Sequence, residues 1–329
     1  MSATTVFVTG ATGIIGSNIA ELLGQDGHEV RALVRPGSDV KALAKLGVRL
    51  LPGDVTDADS VVAAADGAEY AIHSAAILGG AVQDRSQFAA VNVSGSAHVL
   101  DAAKKVGVRR TVYLSTVTCL DTTVTLTETS PLSTAPDLDP YSESKRATYL
   151  DVLARVGEGE DICLIASGPA YGTSPMPERS MVAPSWNQRT TAAITGELKE
   201  YVAMPLPFVF ARDVARCAVS AMTRGRAGER YLGVGRPEDV MSMPAFCNLA
   251  CEVAGSEHRV REISREELDS PELLARLGPS IIKLAKQHYA DPLTSNAVTR
   301  ERLGYDPISV AEGLALTVPW MRSTGLLAG

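Results

Sequence analysis

A tyrosine, a lysine and a pair of hydroxyl side chains form the pattern with the clearest chemical meaning. Tyr141 and Lys145 stand four residues apart in a segment with helical periodicity, so their side chains share one face. Ser115 and Thr116 end the strand-like run before it. A phenol can give a proton to an oxygen that gains negative charge, and a hydroxyl can orient that oxygen. This set predicts proton transfer at a carbonyl oxygen, although the spacing Y-x-x-x-K alone is common by chance.

Three glycines lie between the first predicted strand and the first predicted helix. They stand at 10, 13 and 16 in the sequence TGATGIIG. Glycines here permit a tight turn and a close backbone approach to a pyrophosphate, and the helix N-terminus offers free N–H groups. A plain glycine turn is the alternative, but the flanking strand and helix favour a dinucleotide-binding loop. The residues expected to contact the dinucleotide are Gly10, Thr12, Gly13, Ile14 and Ile15.

The residue after the second predicted strand bears on which dinucleotide binds. An acidic side chain there would accept a hydrogen bond from the ribose 2′-hydroxyl. The chain instead has Arg35, with no Asp or Glu beside it. A guanidinium can bind a 2′-phosphate bidentately, so we expect NADP(H) rather than NAD(H); a solvated surface arginine is the alternative. Asp54 and Val55 follow the third strand, where the adenine ring is expected.

The dinucleotide would complete the chemistry of Tyr141. A free tyrosine has a pKa of ~10, so ionising it at pH 7 costs ~4 kcal/mol. A nearby cation lowers the pKa of such a group by about 1–3 units. Lys145 and the positive ring of an oxidised nicotinamide are two such cations. Together they could bring the pKa of Tyr141 near the working pH.

The elements that must position these groups alternate along the first half of the chain. Short β-branched runs are separated by longer segments with helical periodicity. This order predicts an α/β, Rossmann-type fold, in which a doubly wound parallel sheet binds its ligand at the carboxyl ends of the strands. The predicted strands are 5–9, 29–34, 48–51, 70–73, 111–114, 162–166 and 229–234. The predicted helices include 14–25, 57–65, 86–106 and 141–156.

The character of the sequence changes after residue 170. Prolines become frequent and strand signal is weak over 173–207, and the end of the chain has mostly helical periodicity. We therefore predict a dinucleotide-binding domain over 1–172, to which 208–235 returns. A smaller, mostly helical substrate-binding lobe would consist of 173–207 and 236–329.

Composition and charge disfavour several other classes of protein. The 329 residues include 31 Lys and Arg against 38 Asp and Glu, a net charge of −7, and only 5% are aromatic. An acidic surface with few stacking groups disfavours a nucleic-acid partner. The sequence has no apolar run long enough to span a membrane and no charged leader segment, so we expect a cytoplasmic protein.

The five cysteines form no C-x-x-C pair. Cys247 and Cys251 stand four residues apart, a spacing that could ligate a metal, but no further ligands lie nearby in sequence. We expect buried thiols in a reducing compartment and no metal site.

Together these motifs resemble the extended short-chain dehydrogenases/reductases, the group of nucleotide-sugar epimerases, dihydroflavonol reductases and 3β-hydroxysteroid dehydrogenases. The matching segments run over nearly the whole chain. They are TGATGIIG at 9–16, GDVTD at 53–57, HSAA at 73–76, VNVSGSAHVLDAA at 91–103, VYLST at 112–116, YSESK at 141–145, GPAYG at 168–172, ARDVA at 211–215 and LGYDP at 303–307. The set is specific for the family and not for a substrate. The Val-Arg pair at 34–35 is similar to the NADPH-using dihydroflavonol reductase branch.

The resemblance implies roles for the site residues. Tyr141 would be the general acid/base, and Lys145 its electrostatic partner and ribose ligand. The hydroxyl role falls on Thr116 by register, with Ser115 kept open. Other positions that the resemblance implies are Ala75 and Ala76 on the adenine–ribose side, Pro169 and Ala170 along the nicotinamide, and His73 and Asn92 in structural roles.

Two departures from the family's nucleotide-sugar members narrow the substrate. Those members usually carry a Gly-Asp-Gly stretch and an arginine that helps to hold a diphosphate, whereas residues 201–208 here read YVAMPLPF. The usual arginine before Pro169 is also absent, since Ser167 and Gly168 stand there. A site with few cations suits a neutral or apolar carbonyl.

The leading interpretation is an NADP(H)-dependent oxidoreductase that interconverts a ketone or aldehyde with an alcohol. One alternative is an epimerase or dehydratase that retains its NAD(P). A non-enzymatic binding protein is a second, which the presence of both Tyr141 and Lys145 disfavours. Substrate walls are expected from 78–85, 117–135 and 173–207. Helices at 86–106 and 141–156 resemble the family's four-helix interface, so we expect a homodimer.

Overall fold

A seven-stranded parallel sheet forms the centre of the molecule, in the strand order β7-β6-β5-β4-β1-β2-β3. Its strands are β1 (Thr5–Thr9), β2 (Glu29–Val34), β3 (Arg49–Pro52), β4 (Tyr70–His73), β5 (Arg110–Thr116), β6 (Ile162–Ser167) and β7 (Arg230–Gly233). The computed structural model describes residues 4–79, 84–136, 138–277, 282, 285–286 and 294–328. Parts of the predicted wall 78–85 and of the predicted lobe 236–329 lie outside these ranges.

Helices cover both faces of the sheet. They are α1 (Ile14–Gln25), α2 (Lys41–Lys45), α3 (Ala58–Ala65), α4 (Arg85–Phe88), α5 (Gly95–Val106), α6 (Pro140–Gly157), α7 (Pro177–Ser180), α8 (Trp186–Ile194), α9 (Ala211–Arg224), α10 (Met243–Ala254), α11 (Pro271–Leu277), α12 (Ala297–Leu303) and α13 (Val310–Ser323). Successive side chains of a strand face opposite sides. Val6 and Val8 of β1 accordingly pack in the cluster of α1 and α9, while Phe7 packs in the cluster of α3 and α5. The predicted doubly wound α/β fold is therefore confirmed.

The segment that follows β6 builds a second apolar cluster away from the sheet. Its buried members come mainly from α8, α10 and α13, including Phe246, and from the segments between helices, including Phe208. Three short strand pairs brace this region. They are Ala170–Tyr171 with Val209–Phe210, Glu200–Val202 with Arg261–Ile263, and Pro205–Leu206 with Met241–Ser242. The sequence shows little strand signal here because strands of two or three residues are too short for a period to appear.

The predicted helix over 86–106 is interrupted. A π-helical stretch, Ala89–Ser94, separates α4 from α5. At the junction, a Cβ on Gly95 would lie 2.8 Å from the side chain of Val55, so the close approach of this segment to the β3–α3 loop requires glycine. The irregularity places Asn92 against the loop after β4, as described below.

All five cysteines are buried and free. Cys247 and Cys251 lie on α10 within the second apolar cluster. Within the described ranges, no three metal-ligating side chains come together. None of the described helices is long and apolar enough to cross a membrane.

Candidate active site

The glycine loop joins β1 to α1 at the carboxyl edge of the sheet. Gly10 has a φ of +74°, and a Cβ there would lie 2.6 Å from the backbone nitrogen of Ala75. A Cβ on Gly16 would lie 2.1 Å from the carbonyl oxygen of Gly10. Any side chain at either position would collide with backbone, so the tight turn depends on both glycines.

The N-terminus of α1 is open to a ligand. Its N-cap residue is Gly13, and no side chain caps the helix. The surrounding residues Thr12, Ile14 and Ile15 are all partly exposed. Uncapped N–H groups at a helix N-terminus bind phosphate readily. The glycine turn and this helix end therefore form a cradle that fits the pyrophosphate of a dinucleotide.

The residues predicted for the adenosine end follow the next strands along the same edge. Arg35 is exposed directly after β2. Asp54 follows β3, and its Oδ1 accepts hydrogen bonds from the backbone and hydroxyl of Thr56 at 2.9 and 2.8 Å. Val55 is buried, and Ala75 and Ala76 are partly exposed after β4. Arg35, Asp54 and Val55 therefore lie on the β2–β3 side of the glycine loop, and Ala75 and Ala76 lie on its β4 side.

A capped helix start fixes Tyr141. Asp139 accepts hydrogen bonds from the backbone nitrogens of Tyr141 and Ser142 at 3.0 and 3.2 Å, and Pro140 occupies the first turn. Both features are typical of a helix N-terminus. Tyr141 therefore projects from an ordered first turn of α6.

Of the two candidate hydroxyls, that of Thr116 is the one that acts on the tyrosine, because it lowers the pKa of the Tyr141 phenol. The Thr116 hydroxyl also accepts a hydrogen bond from the Thr118 backbone nitrogen at 3.3 Å. Neighbouring side chains of a strand point to opposite faces, and the Ser115 hydroxyl lies instead 3.7 Å from the Sγ of Cys119. The geometry favours Thr116 as the partner of Tyr141.

Lys145 lies one turn further along α6 and is only 3% exposed. Its Nζ donates hydrogen bonds to the Leu114 carbonyl oxygen at 2.9 Å and to the Tyr113 hydroxyl at 3.3 Å. It also lies 4.9 Å from the centroid of the Tyr113 ring. Burial disfavours the charged amine and lowers the pKa of Lys145 to about 8. The lysine is therefore protonated at neutral pH and loses its charge in the mildly alkaline range.

Burial dominates the pKa of Tyr141 in the protein itself. Burial raises it above the ordinary value of a phenol, and the hydrogen bond with Thr116 opposes the shift only in part. Desolvation disfavours the charged phenolate, and the negative charge of Asp139 acts in the same direction. Tyr141 is thus a neutral phenol at neutral pH, the form that can donate a proton.

His73 and Asn92 occupy the structural positions expected of them. His73 is buried, with Nδ1 2.6 Å from the Thr9 hydroxyl and Nε2 2.8 Å from the Ser96 hydroxyl. Burial lowers the pKa of His73 to about 3, so the ring is neutral. It ties β1 and β4 to α5.

Asn92 connects three elements through its amide. Its Oδ1 accepts from the Ile77 backbone nitrogen at 2.8 Å, and its Nδ2 donates to the Ile77 carbonyl and the Ser144 hydroxyl, both at 3.0 Å. These bonds hold the loop after β4 against α6, one residue from Lys145.

The segment after β6 carries the two residues predicted to lie along the nicotinamide. Pro169 and Ala170 follow β6 and are partly exposed, and Ala170 pairs with Val209. The chain then enters the second apolar cluster, where Phe208 stacks on Phe246 with 4.1 Å between ring centroids. The predicted nicotinamide positions therefore lie at the junction of the sheet and that cluster.

The sequence does not predict the positions of two residues near the site. Tyr113, which touches Lys145, stands between the apolar residues Val112 and Leu114 of β5, and the only available signal is its position two residues before Ser115. Arg179 lines a cleft with Arg35, although 144 residues separate them in sequence. No local pattern marks that proximity.

Comparisons with known proteins agree with this geometry. The model of the NAD dependent epimerase/dehydratase family matches residues 6–233. The chain is 29% identical to sterol demethylase protein B of Methylococcus capsulatus, over 98% of this chain and 100% of that protein. It is 36% identical to a 3β-hydroxysteroid dehydrogenase/Δ5→4-isomerase of Mycobacterium tuberculosis, over 51% of this chain and 47% of that one.

A solved structure shares the whole fold. The crystal structure of gox2253 superposes with a TM-score of 0.84 at 26% identity, covering 98% of this chain and 99% of that one. The family match spans both the glycine loop and the segment of Tyr141 and Lys145. The chain therefore belongs to the NAD-dependent epimerase/dehydratase family, within the extended short-chain dehydrogenases/reductases.

Proposed function

We propose that this protein is an NADP(H)-dependent oxidoreductase that interconverts a ketone or aldehyde with an alcohol. The observation that carries the proposal is the pair Thr116–Tyr141, with Lys145 buried one turn further along α6, at the sheet edge that also bears the glycine loop. The pair supplies a proton donor and a polarising hydroxyl beside a nucleotide cradle.

Residues of the chain itself supply the proton that the carbonyl oxygen receives during reduction. A bound nicotinamide supplies the hydride or accepts it. In the reducing direction, the neutral phenol of Tyr141 donates its proton to the oxygen that gains charge, while the Thr116 hydroxyl orients that oxygen. Lys145, fixed by Leu114 and Tyr113, holds a positive charge close by and stabilises the phenolate that remains.

The choice of NADP(H) rests on the end of β2. Arg35 is exposed beside the glycine loop, where the adenosine ribose of a bound coenzyme would lie. A guanidinium there pairs with a 2′-phosphate and offers no acceptor to a 2′-hydroxyl. We place the coenzyme against Gly10, Thr12, Gly13, Ile14, Ile15, Arg35, Asp54, Val55, Ala75, Ala76, Tyr141, Lys145, Pro169 and Ala170.

A neutral, apolar carbonyl is the proposed substrate class. Val202, Met204 and Phe208 in the stretch 201–208 are buried. Trp186 meets Phe208 edge-on at 5.1 Å between centroids. Nearby Glu200 is paired with Arg261 and Arg276, so those guanidinium groups are already engaged. The relatives named for a sterol demethylase and a hydroxysteroid dehydrogenase support the same substrate class.

The test is a panel of aromatic, steroidal and aliphatic ketones with added NADPH or NADH. We expect stoichiometric consumption of NADPH with at least one apolar ketone. Turnover of a nucleotide sugar without added coenzyme would contradict the proposal and support an epimerase or dehydratase with retained NAD(P).

A further inference from the structure

An open cleft of ≈ 360 Å³ lies at the adenosine end of the coenzyme site. It is lined by Arg35, Pro36, Gly37, Ser38, Asp39 and Arg179. The first five form the turn that follows β2, closed by a hydrogen bond from the Ser38 backbone nitrogen to the Arg35 carbonyl at 3.1 Å. Arg179 reaches the cleft from α7, in the segment predicted to belong to the substrate-binding lobe.

The segment that carries Arg179 is anchored to the phosphate-binding helix. On α1, the Ser17 hydroxyl lies 3.0 Å from that of Ser174, and the Asn18 amide donates to the Thr173 carbonyl at 2.9 Å. Met176 is buried in the same core cluster as Ile19. Arg179 follows three residues later, so its place beside Arg35 is set by the packing of α1.

The two guanidinium groups are uncommitted. Within the described ranges, neither Arg35 nor Arg179 forms an ion pair. The one carboxylate in the cleft, Asp39, accepts a hydrogen bond from the Lys41 backbone nitrogen at 3.1 Å. Two guanidinium groups against one carboxylate leave the cleft net positive. Such a cleft favours an anion that can accept several N–H donors.

We propose that Arg179 is the second arm of a two-arginine clamp for the 2′-phosphate of NADP(H). This inference rests on the proposed use of NADP(H) and adds a specificity-determining residue from outside the β2 turn. A phosphate offers enough oxygen atoms for both planar forks, and Arg179 would close on it from the side opposite to Arg35. Coenzyme recognition then joins α7, and the segment that follows it, to the nucleotide site.

The experiment measures binding of coenzyme fragments by calorimetry, without catalysis. The fragments are 2′,5′-ADP and 5′-AMP, which differ only in the 2′-phosphate. The variants are Arg35→Gln, Arg179→Gln and Arg179→Lys, with Arg109→Gln at the opposite, amino end of the sheet as the matched control. Circular dichroism and the Tm check that each variant folds.

We expect the wild type and Arg109→Gln to prefer 2′,5′-ADP. Arg35→Gln and Arg179→Gln should each reduce that preference by about tenfold or more, the loss of one charge-assisted pair. Arg179→Lys, which keeps the charge and loses the fork, should retain an intermediate preference and guards against a folding defect in Arg179→Gln.

The results that would contradict the clamp differ from the result that would contradict the use of NADP(H). A loss confined to Arg35→Gln would overturn the role of Arg179 and leave the proposed NADP(H) use intact. Equal weakening of both fragments in Arg179→Gln would also overturn it, since the residue would then contact a part that they share. A wild type without preference for 2′,5′-ADP would overturn the proposed NADP(H) use and the clamp with it.

Discussion

Burial shifts the pKa values of Tyr141 and Lys145 in opposite directions, and in both residues it favours the neutral form. Desolvation keeps the phenol neutral and makes the ammonium easier to deprotonate, so each group still holds its own proton at neutral pH. The sequence predicts their identity and helical spacing, because i, i+4 pairs share a face. It does not predict their ionisation, which depends on what covers them. Tyr113, the buried acceptor of the lysine, escapes prediction for the same reason.

Removal of the Tyr141 phenol should reduce the catalytic rate more than the loss of any other side chain of the site. Tyr141→Phe should reduce kcat by about 10²–10⁴-fold, the usual share of a positioned acid, with little change in the far-UV circular dichroism. Tyr70→Phe, at the amino end of β4, is the matched control and should keep wild-type activity. Retention of activity in Tyr141→Phe would refute the assigned role.

The pH dependence should report Lys145. A lysine whose pKa is lowered to about 8 is charged below that pH and neutral above it. The value of kcat/KM for NADPH, which reports the free enzyme, should therefore be level near neutrality. It should fall about tenfold per pH unit above pH 8, as expected for one required proton. A profile that stays level to pH 10 would show that the charge of Lys145 is not required.

The sequence predicts the elements that have a regular hydrophobic pattern over several residues or a clear boundary. The bounds of β1, β2, β4 and α1 in the structure are those predicted, because apolar runs between glycine or polar breaks define them. The π-helical stretch and the paired short strands were missed, since tertiary contacts rather than periodicity create them. The glycine loop belongs with the predictable elements.

Alanine substitutions at two glycines with positive φ distinguish the cost of a left-handed backbone from the cost of a steric collision. Gly27 has a φ of +82° and open space around its Cβ position, so Gly27→Ala should cost only the left-handed backbone, about 1–2 kcal/mol. Gly10→Ala adds a collision with the backbone of residues 74 and 75. It should cost more in urea unfolding and weaken coenzyme binding at least tenfold. Equal effects of the two substitutions would contradict the account of the loop.

At the scale of the whole molecule, an exposed face of α6 fits the predicted homodimer. Leu150 and Leu153 are 54% and 41% exposed on this helix, and Arg155 bridges to Asp101 of α5. Two exposed leucines about one turn apart on the same helix form an apolar patch of the kind found at interfaces. The division of the chain into a coenzyme domain and a substrate-binding lobe stays a prediction, as does the homodimer.

Charge placed on that face should separate the subunits. Leu150→Lys should shift the mass measured by light scattering from dimer to monomer at micromolar concentration, because an unpaired ammonium would be buried in the interface. Leu316→Lys, on α13, starts from a similar exposure of 53% and should remain a dimer. A wild type that is monomeric would end the proposal.

The central claim is net hydride transfer between NADPH and a substrate carbonyl, and isotope tracing tests it most directly. The enzyme would be incubated with an apolar ketone and NADPH carrying deuterium at both hydrogen positions of the reactive carbon of the nicotinamide. We predict one deuterium on the carbinol carbon of each alcohol formed, and none with Tyr141→Phe over the same time. Turnover of a substrate that acquires no label from added NADPH would contradict the claim, since the hydride would then come from a coenzyme that the protein retains.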